Sequence, residues 1–327
     1  MEKQTEDGIL GELTTFLRDD FADSWRKLPN KALFFILLAG WVVLFHLAGN
    51  STLGYVHSSS LFRWLLDAYH PAGDYASSED VIGLIVPFIV VGIFMWKLKE
   101  LVALPLKEWW PGLVLVALAL VFHLLGYMIQ QPRVSVVAFL AGIYFLMGLA
   151  WGRSWLRGSF FPIFLLGFCI PIGSYGQAIT TPLRHLVGMI VVAVAHLGLA
   201  PDLVREGTQL FDAQSSFRYD IAPACSGIRS LTSLLALTTV FGFVCFKSSW
   251  KRLLLVLVAF PLSVLGNVLR ITFTVFVAEM FGQNAGAAVE QKAGFVTFAI
   301  AIAAILLLER WLREDNLEAR PLEPKAT

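Results

Sequence analysis

Charge is scarce in this chain: only 15% of its 327 residues are charged, and the formal net charge is +1. No run of like charge is long enough to grip a polyelectrolyte, so nucleic acid is not an expected partner. Cysteine is nearly absent. Cys169, Cys225 and Cys245 are too few and too scattered for a disulfide framework or a zinc site, and nothing in the sequence calls for a metal or a cofactor. Residues 1–32 lack the short basic start and small-residue cleavage site of a signal peptide, so the first apolar run is expected to stay in the mature chain. No internal repeat or second domain is visible either. What the chain has in abundance is apolar surface: 57% of residues are hydrophobic and mean hydropathy is +0.70. That composition excludes an ordinary soluble domain and points to an integral membrane protein.

A helix needs about 20 apolar residues to cross a bilayer. Runs of that order lie near 33–49, 82–96, 112–130, 135–152, 158–174, 226–246, 253–281 and 293–309, which predicts an all-α polytopic bundle of about eight transmembrane helices. A further run, 179–200, is interrupted by Pro182, Arg184, His185 and His196. Lys and Arg gather on the cytoplasmic side of such bundles. Here they stand at Arg18, Arg26, Lys27 and Lys31, at Lys97, Lys99 and Lys107, at Arg153 and Arg157, at Lys247, Lys251 and Arg252, and at Arg310, Arg313, Arg320 and Lys325. All these groups fall on one side only if 179–200 does not cross. That segment is therefore expected to be re-entrant or interfacial, with both termini cytoplasmic.

The resulting organisation is a cytoplasmic segment over 1–32, a single transmembrane domain over 33–310 and a cytoplasmic tail over 311–327. Apolar residues Ile9, Leu13, Phe16, Leu17 and Trp25 recur at near-helical spacing within 8–28, which suits a helix lying on the membrane surface, although a merely tethered tail would do as well. On the opposite side, "LVREGTQLFDAQSSFRYDIAP" holds two short runs around a polar turn and predicts a small extracytoplasmic β-hairpin.

Four features collect on that outer side. Cys225 in "APACSG" opens an apolar helix, where unpaired N–H groups and the helix dipole favour a thiolate, and Arg229 follows by one turn. The competing reading is a small packing residue, as for Cys169 and Cys245. Arg270 lies ten or so residues before the outer end of its run, and such a charge costs about 2.5–3.5 kcal/mol at a helix centre unless it faces a cavity or a partner. Asn267, three residues earlier, shares its face and serves either as interhelical glue or as support for a site. Glu290 and Lys292 stand at the mouth of the last run as solvated loop charges or as proton-handling groups. His185 and His196 are mainly structural candidates.

The ordered set "PACSGIRSL", "NVLRI" and "AGF" resembles the exosortase and archaeosortase family of membrane transpeptidases. The resemblance continues upstream through "IPIG", "TTPLRHLVG" and "HLGLAPDLVREG", covering roughly 155–310. It implies a cysteine protease and transpeptidase of the bacterial inner membrane with an extracytoplasmic active site. Its expected partners are secreted proteins that end in a sorting signal of the PEP-CTERM kind, made of a short motif, an apolar helix and a basic stub. Membrane lipid surrounds it, and a surface polysaccharide or lipid is the expected acceptor. Carried over, Cys225 matches the nucleophile and Arg270 the essential arginine. The segment Ser226–Gly227 offers backbone N–H groups to an oxyanion, with Arg229 and Asn267 in support. Exosortases place a histidine four residues before the glycine of the last span, and archaeal members an arginine in that region. Glu290 stands there in this chain, as a replacement third residue or a mark of altered or lost activity. Alternatives outside that chemistry are a polytopic transporter or surface-polysaccharide assembly factor with Arg270 lining a pathway, and an inactive relative that only binds sorting signals.

Overall fold

The structure is a computed structural model and describes residues 21–70, 80, 82–172, 177–197, 202–212, 218–220, 228–246 and 248–318. The chain divides into two compact units, one of residues 1–76 and 80–171 and the other of 77–79 and 172–327.

The first unit is helical. It comprises α1 (Ala22–Lys27), α2 (Lys31–Ala48), α3 (Leu61–Tyr69), α4 (Ile82–Val102), α5 (Pro111–Met128), α6 (Pro132–Trp151) and α7 (Arg153–Leu165), the last running into a 3-10 turn over Leu166–Cys169. Both α5 and α6 carry proline at the first helical position, where the missing N–H costs nothing because no intrahelical partner awaits it. The unit's core is aromatic: Phe34, Trp41, Phe45, Trp151 and Trp155 are buried together. Trp41 fits because residue 142 is glycine, since a Cβ there would fall inside the indole ring. Its Nε1 donates to the carbonyl of Phe139 at 3.1 Å. His123 joins three helices: one ring nitrogen meets Ser135 Oγ at 3.0 Å and the other meets the Ala48 carbonyl at 3.1 Å. A polar side chain inside an apolar bundle must be satisfied in this way.

The second unit contains α8 (Gln177–Ala195), a sheet of β1 (Leu203–Glu206), β2 (Gln209–Asp212) and β3 (Arg218–Asp220), and the helices α9 (Ile228–Cys245), α10 (Ser249–Phe281) and α11 (Gln283–Glu318). The sheet is antiparallel in the order β1, β2, β3. Its first hairpin turns on Gly207 and Thr208, and Gly207 has φ 63°, the left-handed conformation that a two-residue II′ turn asks of its first position. Leu203 and Leu210 from the sheet pack with Val187 and Val191 of α8 and with Val268, Ile271, Val275 and Ala278 of α10. A separate cluster of Leu234, Leu255, Ala259, Ala301 and Ile305 holds α9, α10 and α11 together.

The expected all-α polytopic bundle is what forms. Among the described residues, six helices are long and apolar enough to cross a membrane: α2, α4, α5, α6, α10 and residues Lys292–Leu312 of α11. Two of the eight expected runs are shorter. At 158–174 the chain forms α7 and its 3-10 turn, together about 28 Å long at 1.5 and 2.0 Å per residue. In α9 the apolar stretch is Ser230–Cys245. The run at 179–200 is one continuous helix over Gln177–Ala195, with Pro182 inside it. Because Pro182 lies near the start, the hydrogen bond it forfeits is one at the helix entrance. The expected hairpin is present and is extended by a third strand. Of the surface helix expected over 8–28, only the part from residue 21 is described, and Ala22–Lys27 is helical.

Candidate functional site

Three helices of the second unit frame the site. The face of α10 carries Ser263, Asn267 and Arg270, spaced at four and three residues so that they line one stripe. Against it α11 presents Gly294, Thr297 and Ala301, and α9 presents Ser230 and Leu234. Together these surround a cavity of about 30 Å³, room for one or two water molecules. Each of the three helices contributes a polar side chain to the lining, beside the apolar Leu234, Leu262 and Phe298. Ser230 and Ser263 join their hydroxyls at 3.2 Å, which ties the first turn of α9 to α10. Asn267 is buried at 5% exposure. Thr297 Oγ1 donates back to the carbonyls of Ala293 and Gly294, at 3.1 and 3.2 Å.

Arg270 is the charge at the head of this stripe, and it is only partly exposed. Its backbone carbonyl accepts from Thr274 Oγ1 at 3.0 Å. Its guanidinium lies over Gly294, where an added Cβ would stand 3.3 Å from Nη1 and 3.7 Å from Cδ. The buried Nε and Nη2 have no hydrogen-bond partner among the described residues. Those two nitrogens form one edge of the planar fork, the edge that grips a carboxylate or an oxyanion. Unpaired donors of a buried cation are expensive, at roughly 1–3 kcal/mol or more each. An arginine kept in that condition suits an anionic or strongly dipolar ligand.

Glu290 belongs to the same face of α11. Gly286 packs on Ala278 and Thr274 of α10, and Gly294 packs on Arg270. Glu290 is four residues from each, on the row that faces α10 and one turn from Arg270 toward Gly282. It is partly buried, whereas Lys292 is exposed.

The remaining sequence candidates fall elsewhere. Cys225, Ser226 and Gly227 lie outside the described residues, and of Arg229 only the helical backbone is described. His185 meets Arg205 of β1, whose Nη1 approaches Nδ1 to 3.1 Å, and Arg205 also donates to the Gly207 carbonyl. His196 Nε2 meets the carbonyl of Leu203 at 2.9 Å. Both histidines thus fasten the sheet to α8, as the structural reading of them expects. Cys169 is buried and Cys245 partly buried, and neither takes part in a disulfide among the described residues. Ser230, Ser263 and Thr297 are site-lining residues that sequence reasoning passed over, and Gly294 entered it only as the glycine that opens the last span. The signal available for them was the spacing of Ser263 with Asn267 and Arg270, and of Gly294 with Thr297.

No curated protein and no solved structure matches the chain. The family model described as transmembrane exosortase (Exosortase_EpsH) matches residues 75–307, well before the expected start near 155 and across most of both units. With that match spanning more than half of its length, this integral membrane protein belongs to the transmembrane exosortase family.

Proposed function

We propose that the chain is a cysteine-type transpeptidase that cuts the C-terminal sorting signal of secreted proteins on the extracytoplasmic face of a bacterial inner membrane. The acyl group then passes to a surface acceptor. One observation carries the reading: Arg270, a partly exposed arginine within an apolar helix, keeps the buried Nε and Nη2 edge of its guanidinium without a partner among the described residues. It does so beside the helix whose first turns follow the "PACSG" cysteine. Ser230, on the cavity wall, is five residues after Cys225, so about 17 Å of extended chain is the greatest distance between them.

In the reaction, the Cys225 thiolate attacks the scissile carbonyl. The carbonyl π electrons move to oxygen, and the Nε and Nη2 N–H groups of Arg270, with backbone N–H groups of Ser226 and Gly227, hold the oxyanion. Collapse of the tetrahedral adduct breaks the C–N bond. The leaving amine takes the proton that the Cys225 thiol gave up on becoming the thiolate, carried by Glu290, an acidic residue on the α11 face toward Arg270. An amine or hydroxyl of the acceptor, or water, resolves the thioester by the reverse sequence. Arg229 and Asn267 are assigned supporting roles, Arg229 toward the thiolate and Asn267 toward Arg270.

The test is processing of a secreted reporter ending in a short motif, an apolar helix and a basic stub. Cys225→Ala should abolish processing with membrane levels unchanged. Arg270→Ala should slow it by about 10²–10³. Full processing by the Cys225→Ala protein would overturn the assignment.

A further inference from the structure

The sheet of the second unit ends in β3, which pairs with β2 on one side and with no further strand among the described residues. The register fixes what its other side offers. Glu206 and Gln209 close the two-residue turn of the first hairpin, so they are a hydrogen-bonded pair, and the N–H and C=O of Gln209 point to β1. Those of Leu210 then point the other way, to β3. Tyr219 stands opposite Leu210 and directs its own N–H and C=O back to β2. The backbone groups of Arg218 and Asp220 consequently face the side away from β2, where no described strand pairs with them, about 6.7 Å apart along the strand.

We infer that this edge is the docking strand for the substrate: an extended segment of the secreted protein, next to its scissile bond, adds to the sheet beside β3. Three observations single out that occupant. An edge with N–H and C=O groups repeating every second residue matches the main chain of an extended polypeptide, whatever its side chains. The sheet is seated on α10 through Leu203 and Leu210, which pack with Val268 and Ile271 on either side of Arg270 in sequence. β3 is also the strand from which the chain proceeds, five residues after Asp220, to Cys225. Added at this edge, a peptide lies on the same end of α10 as the guanidinium. Affinity comes from the main chain, and the inference rests on the transpeptidase reading given above.

The experiment uses the full chain in detergent and a synthetic peptide covering the residues around the reporter's cleavage site, N-methylated at one backbone position at a time. Peptides methylated at alternate positions should be cut about twofold to tenfold more slowly, and those between them at the unmodified rate, because only every second N–H of a strand meets its neighbour. In cells, Asp220→Pro should slow processing of the reporter while the membrane level of the protein is kept, since the N–H it removes faces outward. Tyr219→Pro, which breaks the ladder to β2, should lower the level itself. A flat N-methyl scan, or sensitivity without alternation, together with wild-type processing by Asp220→Pro, would overturn the strand while leaving the reaction in place. Processing by Cys225→Ala would instead remove the reaction, and the docking strand with it.

Discussion

Replacing Gly294 isolates the contribution of Arg270 without touching the arginine. A Cβ at 294 would stand 3.3 Å from Nη1, against ordinary contacts of about 3.5–4.0 Å, so Gly294→Ala asks the guanidinium to yield by a few tenths of an ångström. Gly294→Val adds methyl groups one C–C bond, about 1.5 Å, further out. The guanidinium must then move by roughly 1 Å, a misplacement that costs about 10²-fold in rate, or about 2.7 kcal/mol. The matched control is Gly286→Ala. Its Cβ would fall 2.8 Å from the Ala278 Cβ and 3.2 Å from the Thr274 carbonyl, so it forces the same two helices apart two turns from the arginine. Overpacking of that kind lowers stability by about 1–3 kcal/mol. Reporter processing, normalised to folded protein, and thermal midpoints in detergent give the two readouts. Gly294→Val should lose about two decades of rate, with Gly294→Ala between it and the parent, and Gly286→Ala should lose stability while keeping its rate. A Gly294→Val protein that works within threefold of the parent would refute the claim that the guanidinium's position matters. Equal loss of rate in Gly286→Ala would refute its dependence on residue 294.

Three further outcomes follow from other parts of the molecule. Gly142→Ala should destabilise the first unit by about 1–3 kcal/mol or more, read as a lowered thermal midpoint, because the new methyl meets the Trp41 ring. Tyr69 donates to the Cys169 carbonyl, and its burial pushes the phenol well above its usual 10.0. The unfolded chain therefore releases this proton first, stability should fall as pH rises beyond about 10, and Tyr69→Phe should flatten that fall while lowering stability at neutral pH by about 1 kcal/mol. Glu290→His should raise reporter processing if the glutamate marks an impaired enzyme, whereas a loss of about tenfold or more would assign the glutamate its own part in proton transfer.

Much of the fold is legible in the sequence because a bilayer permits so few solutions. An apolar run must satisfy its own backbone, so helices near 33–49, 112–130 and 135–152 emerge almost as read. The hairpin is legible from Gly207 between two short runs. Its third strand is not, since Arg218–Asp220 is three residues long and exists only through pairing with β2. Pro182 misleads as a breaker because, as the sixth residue of α8, it forfeits the bond to the Ala178 carbonyl and the helix continues past it. Within the site, Arg270 and Asn267 announce themselves as polar groups in an apolar run. Ser230, Ser263, Gly294 and Thr297 do not, since small residues are ordinary in membrane helices and their convergence is a property of how α9, α10 and α11 pack.

The lengths of α10 and α11 explain why the arginine is tolerable. With 33 and 36 residues these helices run about 50 and 54 Å, well beyond the roughly 30 Å of a hydrocarbon core. Lys251 and Arg252 stand at the start of α10, the kind of basic pair that flanks a membrane span. Arg270 is 18 residues further on than Arg252, about 27 Å along the helix, a rise close to the full thickness of that core. Beyond that depth the surroundings change: the sheet packs on Val268, Ile271, Val275 and Ala278, and Glu290 and Lys292 occupy α11. At mid-membrane the charge would cost about 2.5–3.5 kcal/mol, and in open water its field would be screened. Between the two, in a cleft that Ser230, Ser263, Asn267 and Thr297 help to line, the proposed grip of the guanidinium on a substrate oxygen would be stronger than in open water. The serine, threonine and asparagine side chains around it then have a physical reason to be there, because they keep the surroundings of the fork's buried edge polar.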